Sequence, residues 1–479
     1  MIQKVITKYG LAFHLAMLAA LPSALAPLVS SSELGRVVLW LSFIGVLWIF
    51  IEPSIRKGEH LSVARMRVFA GIVRDPVAWF FLVMIFFAGV RWLNSGLGLV
   101  YDIEKVSWSV SEPAWSVFPS SVEDEGFLPF TVVAACAVVV LGLRHAVGLS
   151  ARVSFGMTGA FVSGAGGVAV SVLACIGMNP FASDAVAGFG VVREPLFGAL
   201  YGIWLFVALG AGAHAEQKGW SHARIVHCLT VGGNIAGLVF FAPPLVASSY
   251  LALAAIYALY CWIWVGRAGS KGAVAKNLVF TLLGVVGMVL AFLMFAPAEI
   301  KDSKLAGLDP SVAWKNEVHE ADVALSGMAK RMWLKSPWSG VGLGAFRLQA
   351  PFVAQSEDWE VVPPNPARAI NGYWNLLSER GSVICALVAV GIGLLIWSWV
   401  ARGVEAFLHL RTDAEFDVFP FSCPPIVWIP LFFIPLVAVE GVFAPAFSVR
   451  TLFLAAAAAL ALATASFPRR SVDKQKEAS

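Results

Sequence analysis

The chain alternates between long apolar stretches and shorter polar ones. A helix that crosses a membrane needs about 20 mostly apolar residues. On that rule the pattern predicts spans near 11–30, 37–53, 77–95, 129–148, 154–176, 197–213, 225–242, 249–266, 277–297, 381–401, 423–442 and 450–467. Short, Pro-bearing connections join 225–242 to 249–266 and 423–442 to 450–467. The first apolar run is not read as a signal peptide, because His14, Pro22 and Pro27 interrupt it and a second span begins at Val37. The expected fold is an all-α polytopic membrane protein of about twelve helices. Residues 1–297 carry spans 1–9, residues 298–380 form one large outer loop, and residues 381–479 carry spans 10–12 with a basic tail. A loop of that length is uncommon without a function of its own.

Composition narrows the class. Of 479 residues, 59% are hydrophobic and 13% are charged. Soluble domains run about 45–50% apolar and about 25% charged, so water-soluble and disordered readings are both excluded. The net charge of +4 is too small for a nucleic-acid partner. The six cysteines fall in or beside apolar runs and read as small buried hydrophobes. No pattern of metal ligands or cofactor fingerprint stands out, so neither a metal nor a cofactor is expected.

Basic residues set the orientation. With both termini on one side, that side carries 20 Lys and Arg against 10 Asp and Glu, and the other side 14 against 20. Basic residues concentrate on the cytoplasmic face of membrane proteins. Both termini and loop 54–76 are therefore expected in the cytoplasm, with 96–128 and 298–380 outside.

The large outer loop holds the candidate chemistry. Val318, Ala321, Leu325, Met328 and Met332 recur every three or four residues, one apolar stripe on a helix. Such a helix either lies on the membrane surface or forms a wall of a site. Pro337 ends it. Gly340, Gly342 and Gly344 then alternate through Ser336–Arg347. Their backbone can turn tightly, let another group approach closely, or cradle an anion on successive N–H groups. The plain alternative is a glycine turn. Pro363, Pro364 and Pro366 follow. The stretch Arg368–Gly381 then leads into the tenth span, with Asn371 at a position suited to capping a helix. Arg368, Glu379 and Arg380 lie just outside the apolar core, where snorkelling to the headgroups is the plain reading.

At these two segments the chain resembles the O-antigen ligase/polymerase family of bacterial envelope-glycan enzymes. That family shows a Trp-bearing helix followed by a Pro-x-x-Gly-Val-Gly-x-Gly-x-Phe run, matched here by Pro337, Gly340, Val341, Gly342, Gly344 and Phe346. It then shows a His-Asn pair, about nine residues, and a Gly that opens a span, matched by Asn371 and Gly381. About twelve spans, with a large outer loop before the tenth, also fit. The detailed match covers residues 317–381. The family's ligases carry a His before the Asn, where this chain has Ile370, which favours a polymerase or a divergent ligase.

The resemblance implies a bacterial inner-membrane enzyme that works on the periplasmic face. It would move glycan from a polyprenyl-diphosphate-linked donor to a sugar hydroxyl on a glycan or lipid-linked acceptor, without a metal. Arginines suit the departing diphosphate, because the guanidinium fork is bidentate and always charged. The outer-side arginines are Arg36, Arg91, Arg193, Arg331, Arg347, Arg368, Arg380 and Arg450. Arg193, Arg347 and Arg368 are the expected diphosphate ligands, with Asn371, Gly340, Gly342 and Gly344 as further substrate contacts. Glu379 and His319 are the candidates for the base that takes the acceptor proton. Two rival classes stay open. A metal-dependent transferase of lipid-linked glycan would use Glu123, Asp124 and Glu125. A transporter or flippase would gather ionisable groups at mid-membrane.

Overall fold

The computed structural model describes residues 2–25, 31–55, 59–102, 107–111, 115, 120–122, 125–175, 195–217, 223–242, 244–267, 320–362, 369, 371–412, 423–443 and 450–467. Helices dominate. The first half contains α1 (Ile2–Leu25), α2 (Ser31–Ile51), α3 (Leu61–Arg74), α4 (Pro76–Leu93), α5 (Phe127–Leu141), α6 (Leu149–Cys175), α7 (Pro195–Gln217), α8 (Ala223–Phe241) and α9 (Pro244–Arg267). The second half contains α10 (Glu320–Lys335), α11 (Phe346–Val353), α12 (Asp358–Val361), α13 (Gly372–Thr412), α14 (Ile429–Phe443) and α15 (Arg450–Ala465). Between α4 and α5 lie four short strands, β1 (Ser95–Leu97), β2 (Leu99–Asp102), β3 (Ser107–Val110) and β4 (Ser121–Val122). Strands β2 and β3 pair antiparallel, and β1 pairs parallel with β4.

Every predicted span falls on a helix except 277–297, which lies outside the described residues. Among the described residues, six helices are long and apolar enough to cross a membrane: 32–51, 76–93, 127–146, 198–217, 246–267 and 372–408. Peripheral helices turn large apolar side chains outward, with Phe43, Leu82, Phe86 and Trp397 among them, the last 69% exposed. A soluble protein hides such groups, and a protein in lipid need not. Helix α7 is the hub. Of its apolar window, 94% is buried, and Tyr201, Trp204 and Phe206 are wholly enclosed. Between α6 and α8 a single amide does the polar work. Ser163 donates to Asn234 Oδ1 (2.9 Å), and Asn234 Nδ2 donates to the Ala160 carbonyl (2.9 Å). Small and amide-bearing residues commonly join helices in lipid this way.

Two expectations need correction. The stripe Leu325, Met328 and Met332 does not lie on a membrane surface. It packs with Phe346, Ala350, Val353 and Ala369 into a small core of the outer segment. The α11 segment and Ala369 supply apolar partners that a single-helix pattern cannot reveal. In addition, loop 54–76 contains helix α3, whose arginines at 65 and 67 break the apolar run that would have marked it.

The junction of α3 and α4 is tied by Asp75. Its Oδ1 caps α4 by accepting from Val77 N (3.0 Å). Oδ1 also accepts from Arg144 Nη2 (3.2 Å), while Oδ2 accepts from Arg144 Nε (2.7 Å) and contacts His145 Nε2 (2.8 Å). Both partners lie on a π-helical turn, Gly142–Ala146, that extends α5. Burial opposes ionisation of Asp75, but these hydrogen bonds and the Arg144 charge prevail and hold its carboxyl at about 2, below the ordinary 3.8. A carboxyl depressed in the folded state stabilises the fold above its unfolded pKa, and that contribution disappears as pH falls towards the folded value. Asp75→Asn should therefore lose about 2 kcal/mol at neutral pH. The deficit relative to the parent should shrink between pH 4 and pH 2 in unfolding measured in detergent. A deficit that is unchanged over that range would remove the ion pairs from the account.

Candidate functional site

The site forms where α13 is broken. Asn371 starts this helix, its Oδ1 accepting from Tyr373 N and Trp374 N (both 3.1 Å), so the expected cap is present. The helix then runs to Arg380 and stops being helical at Gly381, with φ 72° and ψ 167°. The predicted opening of the tenth span at Gly381 is thus an interruption inside a longer helix. In an unbroken helix Ser382 N and Val383 N would donate to the carbonyls of Ser378 and Glu379. At the break all four groups find partners in the glycine run instead. Val341 N donates to Ser378 O (2.8 Å) and Gly342 N to Glu379 O (3.2 Å). Ser382 N donates to Pro337 O (2.8 Å) and Val383 N to Trp338 O (3.3 Å). In an apolar surrounding each unpartnered backbone group would cost several kcal/mol, so the run completes the helix.

Such an exchange requires two backbones in contact. A Cβ on Gly340 would stand 2.5 Å from Gly381 N, and a Cβ on Gly381 would stand 2.2 Å from Trp338 O. Both residues also have φ near +70°, a region that side chains disfavour. Gly342 and Gly344 share positive φ. Of the readings open for the run, close approach is the one the geometry supports. Five of its N–H groups are engaged with protein acceptors, Gly340 N with Ser336 O, Leu343 N with Ser120 O and Ala345 N with Gly342 O, as well as the two above. They are not a free anion cradle.

The run is held from its other side too. Val122 N donates to Leu343 O (2.9 Å), and Leu97, Val122 and Ala345 share a small apolar core. Trp333 Nε1 on α10 donates to Ser382 Oγ (2.9 Å), just past the break. Arg331 reaches Val353 O (2.9 Å) and Asp358, closing the outer segment on itself.

Three charged residues lie near this point. Arg91, near the end of α4, is 6% exposed, and Glu379 is 8% exposed. Arg91 Nη2 makes a long contact to Arg380 O (3.5 Å). Its guanidinium lies within the electrostatic reach of both Glu379 and Arg380, and its Nε has no partner among the described residues. Two guanidinium groups and one carboxylate, most of them buried, are a rare grouping at the end of apolar helices, and intramembrane charges generally mark function.

Of the residues expected from sequence, Gly340, Gly342, Gly344 and Glu379 come together here, and Asn371 caps the same helix two turns earlier. Arg347 is exposed at the start of α11 and bonds to nothing among the described residues. His319, Arg193, Arg368, Glu123 and Asp124 lie outside the described residues. Arg91 and Arg380 are among the outer-side arginines, but they are not among the three expected to hold the diphosphate. The signal for Arg91 was its place inside an apolar run, where a charge is costly. No protein-family model and no curated protein matches this chain.

The helix break predicts a clear contrast between two glycines. Gly340→Ala should cost at least about 2 kcal/mol of stability, from positive φ and the clash with α13. Gly393, in the same helix, has no atom near a would-be Cβ, so Gly393→Ala should be neutral or slightly stabilising. Thermal unfolding of the two purified variants in detergent makes the comparison. Equal melting points would show that the run does not complete the helix.

Proposed function

We propose that this chain is a bacterial inner-membrane glycosyltransferase of the O-antigen ligase/polymerase type, with about twelve spans and both termini cytoplasmic. It moves glycan from a polyprenyl-diphosphate-linked donor to a sugar hydroxyl on the periplasmic face. The observation that carries the reading is that Arg91, Glu379 and Arg380 lie near one another at the break that the glycine run completes. The motif residues that suggest the family, Gly340 and Gly381, are the same residues that build this point.

The chemistry fits the groups. The acceptor oxygen attacks the anomeric carbon and gives its proton to the Glu379 carboxylate. The bond from that carbon to the diphosphate oxygen breaks, and its electron pair leaves with the diphosphate. Arg91 and Arg380 stabilise the charge that develops there, and a fixed guanidinium in a desolvated place does so strongly. A diphosphate is a weak base, so its departure needs no strong acid. Arg193, Arg347 and Arg368, with His319, are the remaining outer-side candidates for contacts with the substrates. A polymerase or a divergent ligase is the form that Ile370 favours.

A transporter is the second reading. It is favoured by Glu440, which is 2% exposed, accepts from Tyr250 OH (3.4 Å) and has an Oε1 without a partner among the described residues. Transfer assays with purified protein and a lipid-linked donor separate the two. Arg91→Ala and Arg380→Ala should each slow transfer by about thirty-fold, roughly 2 kcal/mol of transition-state stabilisation. Lys at either position should fall in between, because it keeps the charge and loses the fork. Glu379→Gln should lose transfer while the protein still unfolds at the parent's temperature. Near-normal transfer by both alanine variants would overturn the proposed site.

A further inference from the structure

At the opposite ends of α4 and α13 the protein forms a second polar site, open on one side. A cavity of about 230 Å³ is lined by Arg67, Arg144, His145 and Arg402, with Gly71 and Thr464 completing its wall. These residues come from α3, the π-helical turn, α13 and α15, elements far apart in sequence. The place is set by helix length. From Asp75 to Arg91 α4 rises about 24 Å, and from Gly381 to Arg402 α13 rises about 32 Å. The cavity and the glycine run therefore sit at opposite ends of the same two helices, separated by about the thickness of a bilayer's apolar core.

The lining is cationic. The carboxylates that hold its cations, Glu59, Asp75 and Glu405, do not line it. Asp75 and Ser398 together fix Arg144, whose Nη1 donates to Ser398 Oγ (2.6 Å). Glu59 and the Ser54 carbonyl fix Arg67 through Nε and Nη2, which leaves Nη1 without a partner among the described residues. His145 turns Nε2 to Asp75, and a Cβ on Gly71 would stand 2.8 Å from its Nδ1. Glycine at position 71 thus makes room for the imidazole. Arg402 has only an exposed pair with Glu405, a kind of contact worth little in water, so its guanidinium is available to a ligand. The result is three guanidinium groups and an imidazole around a space the size of a small polar group, two of the guanidinium groups held in place by carboxylates behind them.

We propose that this cavity binds a phosphate group. Phosphate oxygens suit these cations, since they accept charge-assisted N–H bonds, here from Arg67 Nη1 and from the guanidinium of Arg402. At the end of a bundle of apolar helices, basic pockets of this kind suit phospholipid headgroups. A free inorganic phosphate presents the same chemistry. The proposal does not depend on the reaction assigned to the other end of the helices.

The test is equilibrium binding to the full-length protein in maltoside detergent, which carries no phosphate, with fluorescent phosphatidylglycerol as one probe and inorganic phosphate as competitor. Three proteins are compared: the parent, Arg67→Gln and Arg402→Gln, with exposed Lys330→Gln as control. Each arginine variant should bind about tenfold more weakly, the loss of one charge-assisted pair, and Lys330→Gln should match the parent. Binding of phosphatidylglycerol that millimolar phosphate does not displace supports the site and identifies the lipid headgroup as its source. Displacement by phosphate supports the site with free phosphate as its ligand. Binding that neither arginine variant weakens, while both unfold like the parent, would overturn the proposal, as would no binding of either probe to the parent.

Discussion

The contact between the backbones of Gly340 and Gly381 is the interaction on which the outer half of this protein depends. A break inside an apolar helix strands two N–H groups and two carbonyls, and lipid offers them no water. The glycine run meets all four, and it can do so only because neither backbone carries a side chain at the point of contact. The same contact fastens the segment from α10 to α12 onto α13. It also brings the end of α4 beside the break, through the short strands that bond to Leu343. Arg91, Glu379 and Arg380 are near one another as a consequence. The proposed chemistry and the integrity of the helix therefore share one structural cause.

The second organising constraint is the cost of charge in an apolar interior. Helices α4 and α13 each carry polar groups at both ends and apolar residues between. At one end lie Arg91, Glu379 and Arg380. At the other lie Asp75, Ser398 and Arg402, joined by Arg144 and His145. Glu440 is the departure from this sorting, and its neighbour Tyr250 gives it a partial partner. One end is arranged around a helix break and the other around a cavity. If the helices cross a membrane, the two ends meet different compartments, so the groups at each end can act independently.

Much of this was legible in local pattern. Apolar length located the helices, the 3.6-residue period found the stripe Leu325, Met328 and Met332, and Asn371 announced its cap. The glycine run stood out as glycine. What it met did not, because Gly340 and Gly381 lie about forty residues apart and nothing local says that one backbone rests on the other. Arg91 was legible as a charge in an apolar run, yet its neighbours Glu379 and Arg380 come from the far end of the chain. The cation cavity was out of reach for the same reason, since Arg67, Arg144 and Arg402 converge only when four elements pack. The stripe was legible but its destination was not: period shows that a face is apolar, and only the fold shows whether lipid or protein covers it.

The claim on which the rest stands is that the glycine run and the cation cavity face opposite sides of a membrane, the run outside. Engineered cysteines at Ser356, beside α12, and Ser62, on α3, report on the two ends through a maleimide that cannot cross the bilayer. The account predicts that Ser356→Cys labels in intact spheroplasts, and that Ser62→Cys labels only after permeabilisation. Labelling of both positions from the same side would contradict it.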